Sequence, residues 1–173
     1  QEYEAAGWIF RWSIRFSFWM RPMGAEMESR LIDGLIEIVG KDGVLCTEED
    51  LAAYSYDGTF AEGRPDVVVL PQSTEQVSRI VKLVSGARLP IVARGMGSGL
   101  AAGSIPVPSG GVVVCFTRMN RILEIDKANS TVHAEAGVIT AELQAEVEKH
   151  GLFYPPDPSS IRHSTIGGNI ACN

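Results

Sequence analysis

Apolar side chains recur at helical spacing in the first patterned part of the chain. Over residues 26–39, Leu31, Leu35 and Val39 stand four residues apart, which places them on one face of an α-helix. Gly40 follows the last of these positions, and a glycine directly after a periodic run predicts the end of a helix. The pattern therefore predicts an amphipathic helix with one buried face.

A second helical signal lies shortly downstream. Thr47 is followed by Glu-Glu-Asp, and a threonine before acidic residues is typical of an N-cap with the acids in the first turn. The short helix that it begins should run toward Tyr54. We therefore expect residues 25–65 to form an N-terminal helical segment that precedes the main body of the chain.

The main body opens with alternating strand and helix signals. The uninterrupted apolar run 67–70 predicts a buried strand. Ser73 and Gln76 have the spacing of a capping box, which predicts a helix that ends at Gly86. Its buried face should carry Val77, Ile80, Val81 and Val84. A second strand is predicted over 89–93, so strand, helix and strand follow closely enough to predict a βαβ unit with a small parallel sheet.

The second half of the chain carries signals for an antiparallel pair of strands. Strand candidates cover 112–116, 122–125 and 131–136, and the last two alternate apolar and polar residues, as half-buried strands do. Turn-forming residues separate these two. A further helix is predicted over 140–150. Together, these elements predict an α+β fold in which a small parallel βαβ subdomain is joined to a subdomain with a mixed or antiparallel sheet.

Composition and charge narrow the classes of function. Of the 173 residues, 45% are hydrophobic and 21% are charged, a balance typical of globular rather than disordered proteins. The net charge of −6 and the lack of a basic cluster in the sequence argue against nucleic acid as a partner, because its phosphates need a positive surface. A few backbone amides can still bind a phosphate in an acidic protein. The three cysteines are far apart and show no disulfide or metal-ligand spacing.

The two ends of the chain differ from the rest. Residues 8–20 are aromatic and interrupted by arginines, too short and too charged to span a membrane. We expect residues 1–24 to be an extension outside the domain, with a natural start near Met23 or Met27; an amphipathic segment at a membrane surface is the alternative. At the other end, we expect residues 66–173 to form a domain that is incomplete at its C-terminus.

The glycine-rich stretch after the second predicted strand carries the strongest chemical signal. It is Arg-Gly-Met-Gly-Ser-Gly-Leu-Ala-Ala-Gly-Ser over residues 94–104 and is named the glycine loop below. Alternating glycines permit alternating backbone handedness, which turns successive N–H groups toward one point and forms an anion-binding nest. The lack of side chains also lets a pyrophosphate approach the backbone. Taken alone, a flexible surface turn is the alternative.

Two familiar phosphate-binding motifs do not fit the glycine loop. A Rossmann fingerprint needs glycine at its first, third and sixth positions; Gly95 and Gly97 match, but the sixth position is Leu100. The loop also leads into Pro106 and Pro108 rather than into a helix. A P-loop needs a lysine before serine or threonine, and the loop contains no lysine. A phosphate bound here would therefore be bound by another fold.

A second glycine-bearing segment lies near the end of the chain. We interpret Thr-Ile-Gly-Gly-Asn over residues 165–169 as a loop whose paired glycines allow close backbone approach, while Thr165 and Asn169 offer polar groups to a ligand. It follows a proline-rich stretch over 154–158, which must be extended and rigid because each proline fixes its own φ and restricts the residue before it. Alone, the segment would be an ordinary turn.

Both glycine segments, taken with several short motifs, resemble one known family. The motifs are Pro-Gln-Ser-Thr-Glu-Gln-Val at 71–77, the glycine loop, Arg-Met-Asn-Arg-Ile at 118–122, Tyr-Pro-Pro-Asp-Pro-Ser-Ser at 154–160, Thr-Ile-Gly-Gly-Asn-Ile at 165–170 and, upstream, Tyr-Ser-Tyr-Asp-Gly at 54–58. In these motifs the chain, from about Leu31 to Asn173, resembles the FAD-binding PCMH-type domain of the vanillyl-alcohol oxidase superfamily. Within it, the chain resembles FAD-linked 2-hydroxyacid dehydrogenases of the glycolate oxidase, D-lactate dehydrogenase and D-2-hydroxyglutarate dehydrogenase kinds.

The resemblance implies roles for particular residues. The glycine loop would bind the FAD pyrophosphate through its backbone, with the candidate residues Arg94, Gly95, Met96, Gly97, Ser98, Gly99, Leu100, Gly103 and Ser104. Pro71 would lie near the adenosine end. The ribityl and flavin side would be lined by Pro156, Asp157, Ser160, Thr165, Gly168 and Asn169. Some relatives attach FAD covalently through a histidine where this chain has Ser98, so the resemblance implies a non-covalent flavin. Ala102 departs from the glycine usual in close relatives.

The resemblance also implies a reaction. FAD would accept a hydride from the α-carbon of a small 2-hydroxy acid such as glycolate or D-lactate, and the electrons would pass to oxygen, a quinone or an iron–sulfur partner. We expect the protein in the cytoplasm, or peripherally at the inner face of the membrane. The family's catalytic base lies in a C-terminal domain, so this sequence offers no candidate catalytic residue. An alcohol or sugar-alcohol oxidase of the same superfamily and a truncated, non-catalytic nucleotide-binding fragment are the alternatives.

Overall fold

The computed structural model describes residues 25–172. The extension expected over 1–24, and with it the alternative of an amphipathic surface segment, lies outside the described residues. Helices occur together with parallel and antiparallel sheets, which confirms the predicted α+β class. Within the described part of the chain, no helix is long and apolar enough to cross a membrane.

A four-stranded sheet forms the centre of the first subdomain. Its strands are β1 (Val44–Leu45), β2 (Val67–Val69), β3 (Ile91–Arg94) and β4 (Val112–Cys115), in the order β1-β2-β4-β3. β2, β4 and β3 run parallel, and β1 is antiparallel to β2. The predicted parallel sheet is confirmed, but β4 lies between the two strands of the βαβ unit. The central position suits β4 because all of its residues are apolar and buried, as in parallel strands covered on both faces.

Helices pack on this sheet and divide its side chains into two cores. α1 (Ala25–Val39) and α3 (Thr74–Gly86) contribute to the larger core, which contains Leu31, Leu35, Val39, Val67, Val69, Ile80, Val84, Val112 and Val114. α2 (Glu48–Ala52) contributes to the smaller one, with Leu51, Val68, Leu70, Val92, Val113 and Cys115. Successive residues of β2 and β4 alternate between the cores because successive side chains of a strand point to opposite faces.

The predicted N-caps are confirmed, with one change in the capping box. Thr47 accepts a hydrogen bond from the backbone of α2, and Ser73 accepts one from Gln76 N at 3.3 Å. In a capping box the Gln76 side chain would return to Ser73. Instead, its oxygen accepts from Gln72 N and its nitrogen donates to the carbonyl of Ile38. Gln76 therefore also connects α3 to the end of α1.

One position predicted for the buried face of α3 is wrong. Val81 is 41% exposed, and Leu83 packs against the larger core instead. The reason lies on α1, where Gly34 has no side chain: a Cβ there would lie 2.9 Å from a methyl carbon of Leu83. The close approach of the two helices at Gly34 turns the buried face of α3 toward Leu83.

The second subdomain contains the predicted antiparallel hairpin. β5 (Ile122–Asp126) pairs with β6 (Thr131–Ala134), and α4 (Thr140–Glu148) packs against them. Leu143 and Val147 of α4 are buried together with Val138. The hairpin and the helix thus form a separate small core, as their periodicity predicts.

The segment 165–169 is not a loop, which corrects the interpretation from sequence. Residues from Ile166 onward form α5 (Ile166–Cys172), and Thr165 caps this helix by accepting a hydrogen bond from Gly168 N at 3.2 Å. Gly167 packs closely on the strand region before α4: its N donates to Ala136 O at 2.8 Å, and a Cβ at Gly167 would lie 2.8 Å from that of Ala136. Tertiary packing therefore outweighs the low helix propensity of paired glycines.

The carboxyl ends of the parallel strands meet at one edge of the sheet. Pro71 lies just beyond β2, the glycine loop follows β3, and Phe116 follows β4. In open sheets of parallel strands, ligands bind at this edge because the loops that follow the strands converge there. The fold thus places Pro71 and the glycine loop on the side where a ligand is expected.

Candidate functional site

The side chain of Arg94, the last residue of β3, is turned into the protein. Only 6% of its surface is exposed. Its Nη1 donates to the carbonyl of Ser104 at 3.4 Å, and its Cζ lies 5.5 Å from the centre of the Tyr54 ring, within the range of a cation–π contact. Arg94 therefore connects the first and last residues of the glycine loop from the inside.

Gly97 is the glycine of the loop with a left-handed backbone. Its φ is +72°, and a Cβ there would overlap with the guanidinium of Arg94. Glycine is therefore required at 97 both by the backbone and by the arginine beneath it. Gly95, Gly99 and Gly103 do not have positive φ angles, so the alternation of handedness predicted from the glycine spacing does not occur.

Ala102 is the second left-handed residue of the loop, with a φ of +55°. A left-handed conformation costs an alanine about 1–2 kcal/mol because its Cβ approaches the backbone. The departure from glycine at this position therefore carries a small local strain.

The backbone N–H groups of the glycine loop are available as donors. Among residues 25–172, no hydrogen-bond acceptor pairs with an N–H group of residues 96–104. The carbonyls of the loop do accept: Gly99 O from Gly58 N at 3.1 Å and Ala102 O from Ile105 N at 3.2 Å. None of residues 96–104 is buried, so these donors can reach a ligand. Free amides beside the left-handed residues Gly97 and Ala102 can form an anion nest.

A segment upstream packs against the glycine loop. Besides its bond to Gly99, Gly58 approaches so closely that a Cβ would lie 2.9 Å from the Gly99 carbonyl oxygen. Ser104 Oγ donates to Asp57 Oδ2 at 3.4 Å. The motif at 54–58, which the resemblance singled out, thus braces the loop through contacts at two of its residues.

Both carboxylate oxygens of Asp57 accept hydrogen bonds. Its Oδ1 accepts from Thr59 N at 2.8 Å and from Thr59 Oγ1 at 2.6 Å. Partial burial raises the pKa of Asp57, but the bonds from Thr59 and Ser104 and the charge of Arg94 outweigh it, so the pKa is lowered overall. Asp57 therefore stays ionised and accepts hydrogen bonds at neutral pH.

Tyr54 and Cys115 line the space beneath the glycine loop. Burial and the neighbouring Cys115 raise the pKa of the Tyr54 phenol, so the ring that faces Arg94 is neutral. Cys115 is buried and its thiol donates to Gly95 O at 3.6 Å. The start of the loop therefore rests on a closely packed base at the end of β4.

The glycine loop and the segment 165–169 meet directly. A Cβ at Gly95 would overlap with Thr165 Oγ1, and Thr165 is itself buried. Thr165 thus occupies the space that a side chain at Gly95 would need. The glycine loop and the segment 165–169, which are about 60 residues apart in the sequence, are therefore neighbours in the fold.

The polar side chain of Asn169 is paired inside the protein. Its Nδ2 donates to Thr140 Oγ1 at 2.7 Å. Thr140 is fully buried and contacts Ser164 through the carbonyl at 3.0 Å and the hydroxyl at 2.9 Å. These bonds fix the start of α5 on the start of α4, and they leave the carbonyl and the second N–H of the Asn169 side chain for a ligand.

α4 also fixes the proline-rich segment. Gln144 Nε2 donates to the carbonyls of Tyr154 at 3.1 Å and Pro156 at 2.9 Å. Asp157 is exposed, and Ser160 is half-buried with its carbonyl accepting from Ser164 N at 2.7 Å. Pro156, Asp157 and Ser160 are thus connected to the rest of the site through α4 and the residues before α5.

Three residues that build the site, Tyr54, Thr140 and Gln144, are not predicted from the sequence to have a role in it. Tyr54 lies within a motif that carries the resemblance. Thr140 and Gln144 are separated by one helical turn on α4, a spacing that puts two polar residues on the same face. Nothing local marks them as more than helix residues, because their partners lie 10 to 29 positions away in sequence.

These groups fit an anionic dinucleotide. Free N–H donors, a buried cation and the carboxyl edge of a parallel sheet occur together at the glycine loop, and each favours a phosphate group. In the described part of the chain, no cluster of histidine, cysteine or acidic residues could bind a metal ion. The donor set therefore suits a pyrophosphate that binds through backbone amides.

Comparison with known proteins identifies the family. The model of the FAD binding domain family matches residues 65–173, which include the glycine loop and α5. The chain therefore belongs to the FAD binding domain family, and FAD is its cofactor. Solved structures of similar fold include an alkyldihydroxyacetonephosphate synthase and a 4-ethylphenol oxidase.

Individual relatives are consistent with this family. The chain is 46% identical over 137 residues to the glycolate oxidase protein GlcD of Bacillus subtilis, covering 79% of this chain and 29% of that protein. It is 37% identical over 150 residues to D-lactate dehydrogenase of Anaerostipes hadrus, covering 86% and 31%. The structure of an alkyldihydroxyacetonephosphate synthase superimposes with a TM-score of 0.77 at 25% identity, covering 83% of this chain and 29% of that one. The chain thus spans about three tenths of the length of these relatives.

Proposed function

We propose that this chain binds FAD non-covalently for a flavin-dependent oxidoreductase that converts a small 2-hydroxy acid, of the glycolate or D-lactate type, to the 2-keto acid. The observation that carries the proposal is the glycine loop, in which a row of free N–H groups lies above a buried arginine. The similarity to the glycolate oxidase protein GlcD and to D-lactate dehydrogenase supports the substrate class.

In this proposal the chain binds and orients the cofactor. FAD, when bound, supplies the hydride acceptor. The N–H groups of residues 96–104 donate to its pyrophosphate, and each such charge-assisted bond contributes about 1.5–3 kcal/mol. About three or four of these bonds would provide much of the affinity, before the cost of association is subtracted. The bonds that Arg94, Gly58 and Asp57 make with the loop reduce the ordering that binding would require.

The remaining candidate residues extend the site from the loop. Pro71, at the end of β2, would lie near the adenosine. The ribityl and flavin side would be lined by Pro156, Asp157, Ser160, Thr165, Gly168 and Asn169. Of these, Thr165 and Asn169 also have structural bonds within the protein, so their contribution would be to shape the site as well as to contact the ligand.

The domain organisation and the setting are also proposed. Residues 66–173 would belong to the FAD-binding domain, preceded by the helical segment 25–65, and residues 1–24 would lie outside it. A small 2-hydroxy acid, and a quinone or an iron–sulfur protein as electron acceptor, would be the partners. The protein would work in the cytoplasm, peripherally at the inner face of the membrane when a quinone accepts the electrons.

The test uses protein expressed from the complete reading frame. It should purify with stoichiometric flavin that acid precipitation releases, since Ser98 cannot form the covalent histidine link of some relatives. Glycolate or D-lactate, added without oxygen, should bleach the flavin absorbance, and sugar alcohols should not. Bleaching by alcohols alone would identify the alternative oxidase, and flavin that no substrate reduces would contradict an enzymatic role.

A further inference from the structure

Arg94 carries a buried positive charge that no carboxylate of the described chain neutralises by direct contact. Among residues 25–172, ion pairs join Arg64 to Glu48, Arg121 to Glu135 and Lys149 to Glu146. Arg94 belongs to none of them. A buried charge is strongly unfavourable without a partner, so this arginine should have a partner outside the chain.

The groups around Arg94 fix its position and leave its charge in place. The Tyr54 ring packs near the guanidinium, and the Ser104 carbonyl accepts one of its five N–H bonds. No ion pair joins Asp57 to Arg94, and the Asp57 carboxylate accepts hydrogen bonds from Thr59 and Ser104. The charge of Arg94 is the smallest of the causes that lower the pKa of Asp57. The guanidinium is thus oriented without being neutralised.

The guanidinium lies directly beneath Gly97. A Cβ at Gly97 would overlap with its nitrogens, so the guanidinium lies against the backbone of this residue. The N–H groups of residues 96–104 are free on the same loop. An anion bound to the amides beside Gly97 would therefore lie near this cation.

We propose that Arg94 is the positioning and charge-balancing residue of the pyrophosphate nest. Its guanidinium attracts the pyrophosphate through the backbone at Gly97 and ties the ends of the loop together through the Ser104 carbonyl. It thereby selects ligands with phosphate groups over ligands of the same shape without them. The proposal rests on FAD binding at the glycine loop, as proposed above, and deepens it.

The test measures binding rather than turnover, on the flavin-free form of the protein from the complete reading frame. Affinities for FAD, ADP, riboflavin and adenosine are compared in wild type and in Arg94→Gln. We expect FAD and ADP to bind about 10- to 100-fold more weakly to the variant, as removal of one close charge predicts, while riboflavin and adenosine change less than about 2-fold. Arg94→Lys should recover part of the loss because it restores the charge without the planar fork. Arg64→Gln, which removes an exposed arginine at the surface, is the matched control.

Equal losses for all four ligands would overturn the proposal, because they would mean that Arg94 only supports the fold. Unchanged FAD affinity would overturn it as well. If Arg94→Gln fails to fold, the affinities of wild type are measured at low and high salt instead. Salt screens a buried charge poorly. The preference for FAD over riboflavin should therefore fall less than about 3-fold between low and high salt. A steep fall would point to surface charges instead.

These results are separable from the proposed reaction. A protein that shows the expected ligand preferences but oxidises no 2-hydroxy acid would contradict the reaction and leave the role of Arg94 intact. A wild-type protein that binds riboflavin as tightly as FAD would contradict the nest itself.

Discussion

The glycine loop and the segment 165–169 have similar composition and opposite structures. Both are rich in glycine with small polar residues, and both sequences predict a ligand-binding loop. In the glycine loop, the N–H groups of residues 96–104 are free of partners among residues 25–172. In the other segment, every N–H group from Ile166 to Asn169 is bonded: to Val138 O, Ala136 O, Thr165 Oγ1 and Thr165 O in turn.

The difference shows that glycine serves two purposes in this fold. Gly97 has a left-handed backbone over a buried cation, a conformation that exposes amides to a ligand. Gly167 instead allows a helix to approach Ala136 closely, and the amides are used within the protein. The loop is therefore the better candidate for direct phosphate contact, and the capped helix α5 is the better candidate for supporting it.

The largest expected effect comes from closing the glycine loop to the ligand. Gly97→Val should reduce FAD affinity by about 100-fold or more and yield protein without flavin, because the left-handed backbone is strained and the side chain displaces Arg94. Flavin absorbance of the purified variant measures this. Gly86→Val, at a glycine with open space around it, is the control and should retain flavin. Stoichiometric flavin in Gly97→Val would show that the loop is not the phosphate site.

The contact between Gly95 of the glycine loop and Thr165 of the segment 165–169 should give the next largest effect. Gly95→Ala inserts a Cβ into Thr165 Oγ1, and such overpacking typically destabilises by about 1–3 kcal/mol. Thr165→Ala removes the cap of α5 at a cost of about 1 kcal/mol. The double variant should be more stable than the sum of the two losses because the second change removes the overlap. Strict additivity in chemical denaturation would mean that the two regions are not coupled at this contact.

Ala102 offers a change that should strengthen the loop. Ala102→Gly should stabilise the protein by about 1 kcal/mol, since glycine adopts the left-handed φ of +55° without strain. Ala101→Gly, at an adjacent exposed residue without positive φ, should instead be neutral or slightly destabilising. Comparing the thermal unfolding of Ala102→Gly with that of Ala101→Gly distinguishes relief of backbone strain from a general effect of adding glycine.

The smallest expected effect concerns the brace at Asp57. Its pKa is lowered in the folded protein, so its contribution to stability is present above the unfolded pKa of about 3.9 and is lost as pH falls through the folded value. Asp57→Asn should therefore lower the free energy of unfolding at pH 7 by less than about 1 kcal/mol. The difference from wild type should shrink toward zero as pH falls through the lowered pKa of Asp57. A constant difference across this range would assign the effect to shape rather than charge.

The sequence by itself determined the elements and the family. Leu31, Leu35 and Val39 predict α1, the valine runs predict β2 and β4, and the alternation after Ile122 predicts the hairpin. Each of these follows from a local period that matches the geometry of one helix or strand. The motifs around the glycine loop also indicate FAD, because their residue types and spacing resemble those of a family that binds FAD.

Only the tertiary structure decided how these elements use their residues. β4 lies between β2 and β3, Arg94 turns inward beneath Gly97, and Asn169 donates one N–H to Thr140 within the protein. All three depend on partners distant in sequence, and a local pattern carries no information about such partners. The paired glycines at 167 and 168 are compatible with a loop or a helix; the packing of α5 on Ala136 selects the helix, because contacts outweigh intrinsic propensity.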